Sequence, residues 1–207
     1  MKNENLIVRT TSFAMYIVKA YISEGDTVAD CTMGNGFDTL ELAKSVGSSG
    51  RIFAFDIQPL ALKKTAELLE ENNMPAGSAK PEINLILDSH VNLEKHLSKL
   101  RGGISAFVFN LGYMPGENKE ITTEFETTLR AVKQALRLVK TNGIVSVTVY
   151  RGHEAGALEA KALGKFFSEL PAAKYHTAFI EMINQTSKAP AIYIITPKTD
   201  DREWISF

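Results

Sequence analysis

The sequence predicts an α/β fold: a mostly parallel seven-stranded sheet with helices on both faces and an antiparallel hairpin at its C-terminal end. Three observations carry this. Short β-rich runs alternate with longer runs of helical period, the mark of βαβ units around a parallel sheet. A loop with two glycines, Gly34 and Gly36, leaves the first strand and opens into a helix. In the last third, two β-rich runs flank Asn184-Gln185-Thr186-Ser187-Lys188, a turn that makes them a hairpin.

The elements follow in order. Residues 10–21 place Phe13, Ile17, Ala20 and Tyr21 at helical spacing, which predicts a leading helix. Thr27-Val28-Ala29-Asp30-Cys31 reads as the first strand, and a helix over 38–45 is closed by Gly47 and Gly50. Arg51-Ile52-Phe53-Ala54-Phe55-Asp56 is the second strand; Pro59 suits the first turn of a helix reaching about residue 73. A loop over 74–78 leads to a third strand, 83–87, and a short helix over 92–100. After the Gly102-Gly103 turn come a fourth strand (104–111), a polar loop (116–122) and a long amphipathic helix ending near residue 140. Asn142-Gly143 then reads as a turn into a fifth strand, 144–150, followed by a helix over 154–169 and strands over 175–183 and 191–196. No repeat, low-complexity run or linker interrupts the chain, which predicts one domain over 1–207.

Composition narrows the class. Hydrophobic residues make up 44% and charged residues 23% of 207, ordinary globular values that argue against disorder. The formal net charge of −1 gives no hint of a polyanionic partner, so any nucleic-acid surface has to be a local patch. Cys31 is the lone cysteine, which excludes an internal disulfide, and Cys/His spacings of the zinc kind are missing, so no metal is expected. Its position between strand and loop suits packing rather than covalent attack. The polar opening Met1-Lys2-Asn3-Glu4-Asn5, with Arg9, Lys19 and Glu24 behind it, offers neither a signal-peptide core nor an 18-residue apolar span. The expectation is a soluble cytoplasmic protein with no membrane partner.

Every unusual polar cluster falls at the carboxyl end of a predicted strand, where open α/β sheets bind ligands. After the first strand, Gly34 and Gly36 permit close backbone approach around Asn35, and the following helix N-terminus offers unpaired N–H groups beside Asp38 and Thr39. A tight strand-to-helix turn would look the same. Asp56 closes the second strand twenty positions after Gly36, with Gln58 behind it. A carboxylate there can accept both hydroxyls of a ribose, and its spacing favours an adenosine-containing ligand over a simple helix cap. A dinucleotide loop needs a third glycine and seats a pyrophosphate on the helix. Here Thr39 occupies that place and Asp38 aims negative charge at it. That repels pyrophosphate and suits the amino group of S-adenosylmethionine.

The remaining clusters shape an acceptor site. Asp88-Ser89-His90 ends the third strand, where Ser89 and His90 face an adenine edge or a plain helix start. Asn110-Leu111-Gly112-Tyr113-Met114-Pro115-Gly116 ends the fourth strand. An amino nitrogen about to be methylated must be held in line by acceptors, here the Asn110 side-chain oxygen and the Leu111 carbonyl, while Tyr113 stacks on a base. Tyr150-Arg151-Gly152-His153 ends the fifth strand, with Tyr150 in the acceptor wall, Arg151 able to meet a phosphate, and His153 a general base or polar wall. The catalytic candidates are Asn110, Tyr113 and His153.

Two motifs resemble known methyltransferase elements. Asp30-x-Thr32-x-Gly34-x-Gly36 resembles the acidic-x-Gly-x-Gly-x-Gly cofactor loop, with Thr32 in the first glycine place. The Asn110 cluster resembles Asn-Pro-Pro-Tyr, with Leu111-Gly112 for the proline pair. Taken with Ala54-Phe55-Asp56-Ile57-Gln58, Ile121-Thr122-Thr123 and Ile183-Asn184-Gln185, they make nearly the whole chain similar to the small YtqB-type methyltransferases, often labelled rRNA methylases. That resemblance implies a Rossmann-like class I methyltransferase fold and S-adenosylmethionine as cofactor. It also implies N-methylation of the 5-aminomethyl group of a tRNA wobble uridine (the MnmM activity), with the anticodon stem-loop as partner. Assembly as a homodimer stays open. Phe37 and Arg151 stand where that family usually has histidine. The rivals are a methyltransferase of rRNA or of a small molecule, an NAD-dependent oxidoreductase, and a non-catalytic nucleotide-binding module.

Overall fold

The computed structural model describes residues 9–77, 81–112 and 125–201. Seven strands form one sheet: β1 (Thr27–Asp30), β2 (Arg51–Asp56), β3 (Glu82–Leu87), β4 (Ile104–Asn110), β5 (Val139–Val149), β6 (Tyr175–Glu181) and β7 (Ala191–Pro197). Between them run α1 (Thr10–Lys19), α2 (Phe37–Val46), α3 (Pro59–Glu71), the short α4 (Leu93–Leu97), α5 (Phe125–Leu138) and α6 (Glu154–Ser168). The strand order is β3-β2-β1-β4-β5-β7-β6. β1 to β5 pair in parallel, and β7 inserts antiparallel between β5 and β6. The expected hairpin is present, and its second strand lies inside its first.

Alternation along the strands builds two cores, because successive side chains point to opposite faces. Val28, Ile52, Ala106, Val108 and Ile144 meet α1, α2 and α3 on one face. Ala29, Phe55, Phe107, Phe109 and Val145 meet α4, α5 and α6 on the other. All ten are buried, and each large one contributes about 1.5–3 kcal/mol.

Most boundaries match the pattern within two residues, but the entry to β5 does not. α5 ends at Leu138, and Val139 already pairs with Ile104. The ladder then breaks and resumes with Ile144 opposite Ala106. Asn142 sits at φ 59, and a Cβ on Gly143 would lie 2.7 Å from Val139 Cγ2 and 2.8 Å from the Ser105 carbonyl oxygen. Asn142-Gly143 is therefore an irregularity inside β5 rather than a turn before it, held by close packing that tolerates no side chain. Among the described residues, no helix is long and apolar enough to cross a membrane.

Candidate functional site

Strand order reverses between β1 and β4, and ligands of open α/β sheets bind outside the carboxyl ends of strands at such a point. The ends of β1, β2, β4 and β5 meet there.

The loop after β1 is shaped by its glycines and by Asp56. Gly34 (φ 51) and Gly36 (φ 83) both take left-handed backbone. Asp56 Oδ2 accepts from Gly34 N at 3.0 Å, and Oδ1 accepts from Gln58 N at 2.9 Å. Each carboxylate oxygen keeps a further lone pair for a ligand. Asn35 stands half-buried at the tip of the turn, and Phe37 is exposed. A Cβ on Gly36 would meet Thr65 Cα on α3 at 2.9 Å. Gly36→Ala therefore combines strained φ with a backbone clash, and is expected to destabilise the fold by about 1–3 kcal/mol, read as a lower urea midpoint.

Beneath the loop lies an acidic pair. Asp30 has no accessible surface; its Oδ1 accepts from Thr32 N at 3.1 Å and its Oδ2 from Thr39 Oγ1 at 2.6 Å. Thr39 is equally buried. The structure thus places Asp30 and Thr39 under the loop rather than on its ligand-facing side, because these two hydrogen bonds turn both groups inward. Asp38, in the first turn of α2, is half-buried and accepts from Asn110 Nδ2. Burial lifts Asp30 well above the usual carboxylate range, and the Asp38 charge lifts it further. Burial also raises Asp38, with Glu41 adding to the rise and Asn110 opposing it. Such a pair disfavours a pyrophosphate and favours a cation.

On the acceptor side, Asn110 N donates to Thr32 Oγ1 at 2.7 Å, and Leu111 N donates to the Thr148 carbonyl at 2.9 Å. Thr32 thereby braces β4 rather than merely filling a glycine place. Gly112 (φ 126) lies against the Tyr150 ring, to which its Cβ would approach within 3.8 Å, and Tyr150 is 36% exposed. Burial, then the nearby Asp38 charge, raises the Tyr150 hydroxyl. Tyr113, Met114-Pro115-Gly116 and Ile121-Thr122-Thr123 lie outside the described residues.

Two expected roles are not available in this arrangement. His153 caps α6, its Nδ1 accepting from Gly156 N at 3.1 Å. A neutral imidazole has one lone pair, and this one is committed to the cap, so His153 cannot serve as a general base without breaking it. Arg151 does not reach for a phosphate. Its Nε donates to the Ala189 carbonyl at 3.0 Å, and it forms an ion pair with Glu181 at 2.9 Å on the β6–β7 hairpin.

After β3, Asp88 accepts from Ser89 N, Asn92 Nδ2, His96 and Lys95, with His96 the strongest influence holding its carboxyl well below the usual range. Ser89 caps the next turn by accepting from Val91 N. His90 is buried, with Nδ1 3.2 Å from the Cys31 carbonyl oxygen, and burial lowers its pKa. Sequence reasoning missed Thr65, whose hydroxyl donates to the Gly34 carbonyl at 3.3 Å. Its signal was legible: a polar residue within the buried stripe Ala61, Thr65, Leu69. Also missed were Ile57 (56% exposed) and Leu87 (52% exposed), apolar residues beside Asp56, with Leu87 its register partner.

The family model described as "Putative rRNA methylase" matches residues 52–196. A tRNA (mnm(5)s(2)U34)-methyltransferase, chloroplastic, from Arabidopsis thaliana is 36% identical over 183 residues, covering 86% of this chain and 65% of that protein. The chain thus spans about two thirds of that relative's length. Two crystal structures share the fold and much of the sequence. A protein from Clostridium thermocellum described as a "putative rRNA-methylase" has a TM-score of 0.84 at 34% identity, covering 91% of this chain and 97% of that one. A protein from Streptococcus mutans described as "a putative methyltransferase", in complex with SAH, has a TM-score of 0.78 at 30% identity, covering 91% and 98%. With the sheet order, the glycine turn facing Asp56 and these matches taken together, the chain belongs to the family described as "Putative rRNA methylase", on the Rossmann-like class I methyltransferase fold.

Proposed function

We propose that the protein is an S-adenosylmethionine-dependent methyltransferase that N-methylates the 5-aminomethyl group of uridine or 2-thiouridine at tRNA wobble position 34. The observation that carries this reading is Asn110: it ends β4 beside the glycine turn, with its amide nitrogen tied to Asp38. Its amide oxygen is then the end left to accept from a substrate amine. The Arabidopsis relative's name supports the choice of nucleoside. Asp56 and Gln58 fit the ribose, Ile57 and Leu87 an adenine face, and Ser89 its edge, with His90 turned inward onto the Cys31 carbonyl rather than toward the ligand; Gly34, Asn35, Gly36 and Asp38 fit the amino acid end. Asp30, Thr32 and Thr39 hold that loop from below.

The bound cofactor supplies an electrophilic sulfonium methyl. The chain's own task is to present a neutral amine. Desolvation in the pocket depresses the amine pKa, so its proton leaves to solvent before attack. Asn110 Oδ1 and the Leu111 carbonyl would orient the nitrogen toward the methyl, and Gly112 and Tyr150 would offer the base a seat. The anticodon stem-loop is the partner in this reading. A cytoplasmic setting belongs to the same reading.

The test is methyl transfer from labelled cofactor into bulk tRNA, followed by nucleoside identification. Label in the methylaminomethyl uridine is expected. Label confined to rRNA or a small molecule would replace this reading with one of those substrates.

A further inference from the structure

Asn110 is held from two other elements at once. Its backbone N–H is fixed by the Thr32 hydroxyl of the loop after β1, and its side-chain Nδ2 by the Asp38 carboxylate of α2. A primary amide has two orientations that exchange its oxygen and its nitrogen, and the terminal torsion separating them is soft. Against an acceptor-only carboxylate, just one of them bonds; the other sets two acceptors in contact. The carboxylate therefore selects the orientation, and the oxygen is turned away from α2.

We propose that Asp38 is a positioning residue for methyl transfer, fixing which end of the Asn110 amide meets the acceptor nitrogen. This rests on the assignment of Asn110 as the amine's acceptor. Cofactor contact alone would not require Asp38 to bond Asn110. The arrangement links the two halves of the site: the same helix turn that borders the glycine loop sets the hydrogen-bond polarity of the acceptor pocket. With Asp38 removed, the amide is free to turn over, and in the turned orientation its NH2 group opposes the N–H groups of the amine, donor against donor.

The experiment is a double-mutant cycle on the full-length enzyme with Asp38→Asn and Asn110→Ala, reading kcat at saturating S-adenosylmethionine and KM for tRNA. Asp38→Asn nearly preserves shape but can present its own NH2 to the Asn110 oxygen. It is expected to lower kcat about 10- to 100-fold, with KM for tRNA within about threefold. On the Asn110→Ala background the same change is expected to lower kcat less than about threefold, because the group it positions is gone. Asp38→Ser is carried through the same cycle in case the asparagine variant folds poorly. Effects that multiply in both cycles, with Asn110→Ala itself impaired, overturn the positioning role and leave the acceptor assignment standing. Full kcat in Asn110→Ala alone overturns that assignment and this role with it.

Discussion

An Asp56→Ala protein is expected to bind S-adenosylhomocysteine at least about 100-fold more weakly than the parent, as measured by titration calorimetry. The carboxylate does two jobs at the end of β2. It accepts from Gly34 N and Gln58 N, which pins the glycine turn to the next βα connection. Its remaining lone pairs face the edge where a ribose is proposed to sit. Hydrogen bonds to a charged group contribute about 1.5–3 kcal/mol each, so losing two ribose contacts alone gives about 3 kcal/mol or more, beyond 100-fold in affinity. Asp56→Asn is expected to recover little. Whichever way its amide turns, its NH2 confronts a backbone N–H that the carboxylate satisfied. Circular dichroism on the same samples separates a lost pocket from a lost fold. Affinity within about fivefold of the parent would mean that the adenosine is held elsewhere.

What the sequence could reveal here depended on how local the determining contacts are. β2 runs from Arg51 to Asp56, its expected bounds, because Gly50 and Pro59 punctuate it on either side. The glycine turn and Asp56 were legible for the same reason, since a fixed spacing within one βαβ unit brings them together. The roles of His153 and Arg151 were misread because their partners are set by the tertiary fold or by an unusual residue choice. Helix caps are commonly Ser, Thr, Asp or Asn, so a capping histidine at α6 carried no signal. Arg151 finds Glu181 thirty positions away only because β7 turns β6 back along the sheet. Burial of Asp30 was hidden too: an acid at a strand end reads as ligand-facing unless the inward hydroxyl of Thr39 is known.

That buried acid leads to the second large effect: Asp30→Asn is expected to make the apoprotein more heat-stable at pH 8 while weakening its cofactor binding. Burial, then Asp38, raises Asp30 to about 7; burial raises Asp38 to about 6. Asn110 on β4, Glu41 on its own helix, Lys19 on α1, Asp30 on β1 and Tyr150 after β5 bear on Asp38, and Asp56 on β2 bears on Asp30. The folded pair holds protons that the unfolded chain has released near pH 4, so the pair's own contribution to the stability of the apoprotein falls as pH rises from about 4 to about 7, then levels off. Asparagine keeps the acceptor for Thr32 N and can donate to the Thr39 hydroxyl, so it fits without the charge. Removing the charge is expected to raise the melting temperature at pH 8 by about 5 °C or more, at about 2–4 °C per kcal/mol, with the gain vanishing near pH 4. The ammonium at the amino acid end of a bound ligand reverses the preference, because it stabilises the ionised acids. Parent affinity for S-adenosylhomocysteine should therefore climb as pH rises through 6 to 7, with proton release on binding across that window; in Asp30→Asn the climb is shallower and the plateau lower. A variant no more stable than the parent at pH 8, or a parent affinity flat with pH, would mean that the acid pair is ionised in the empty site and that its charge is balanced by something other than the ligand.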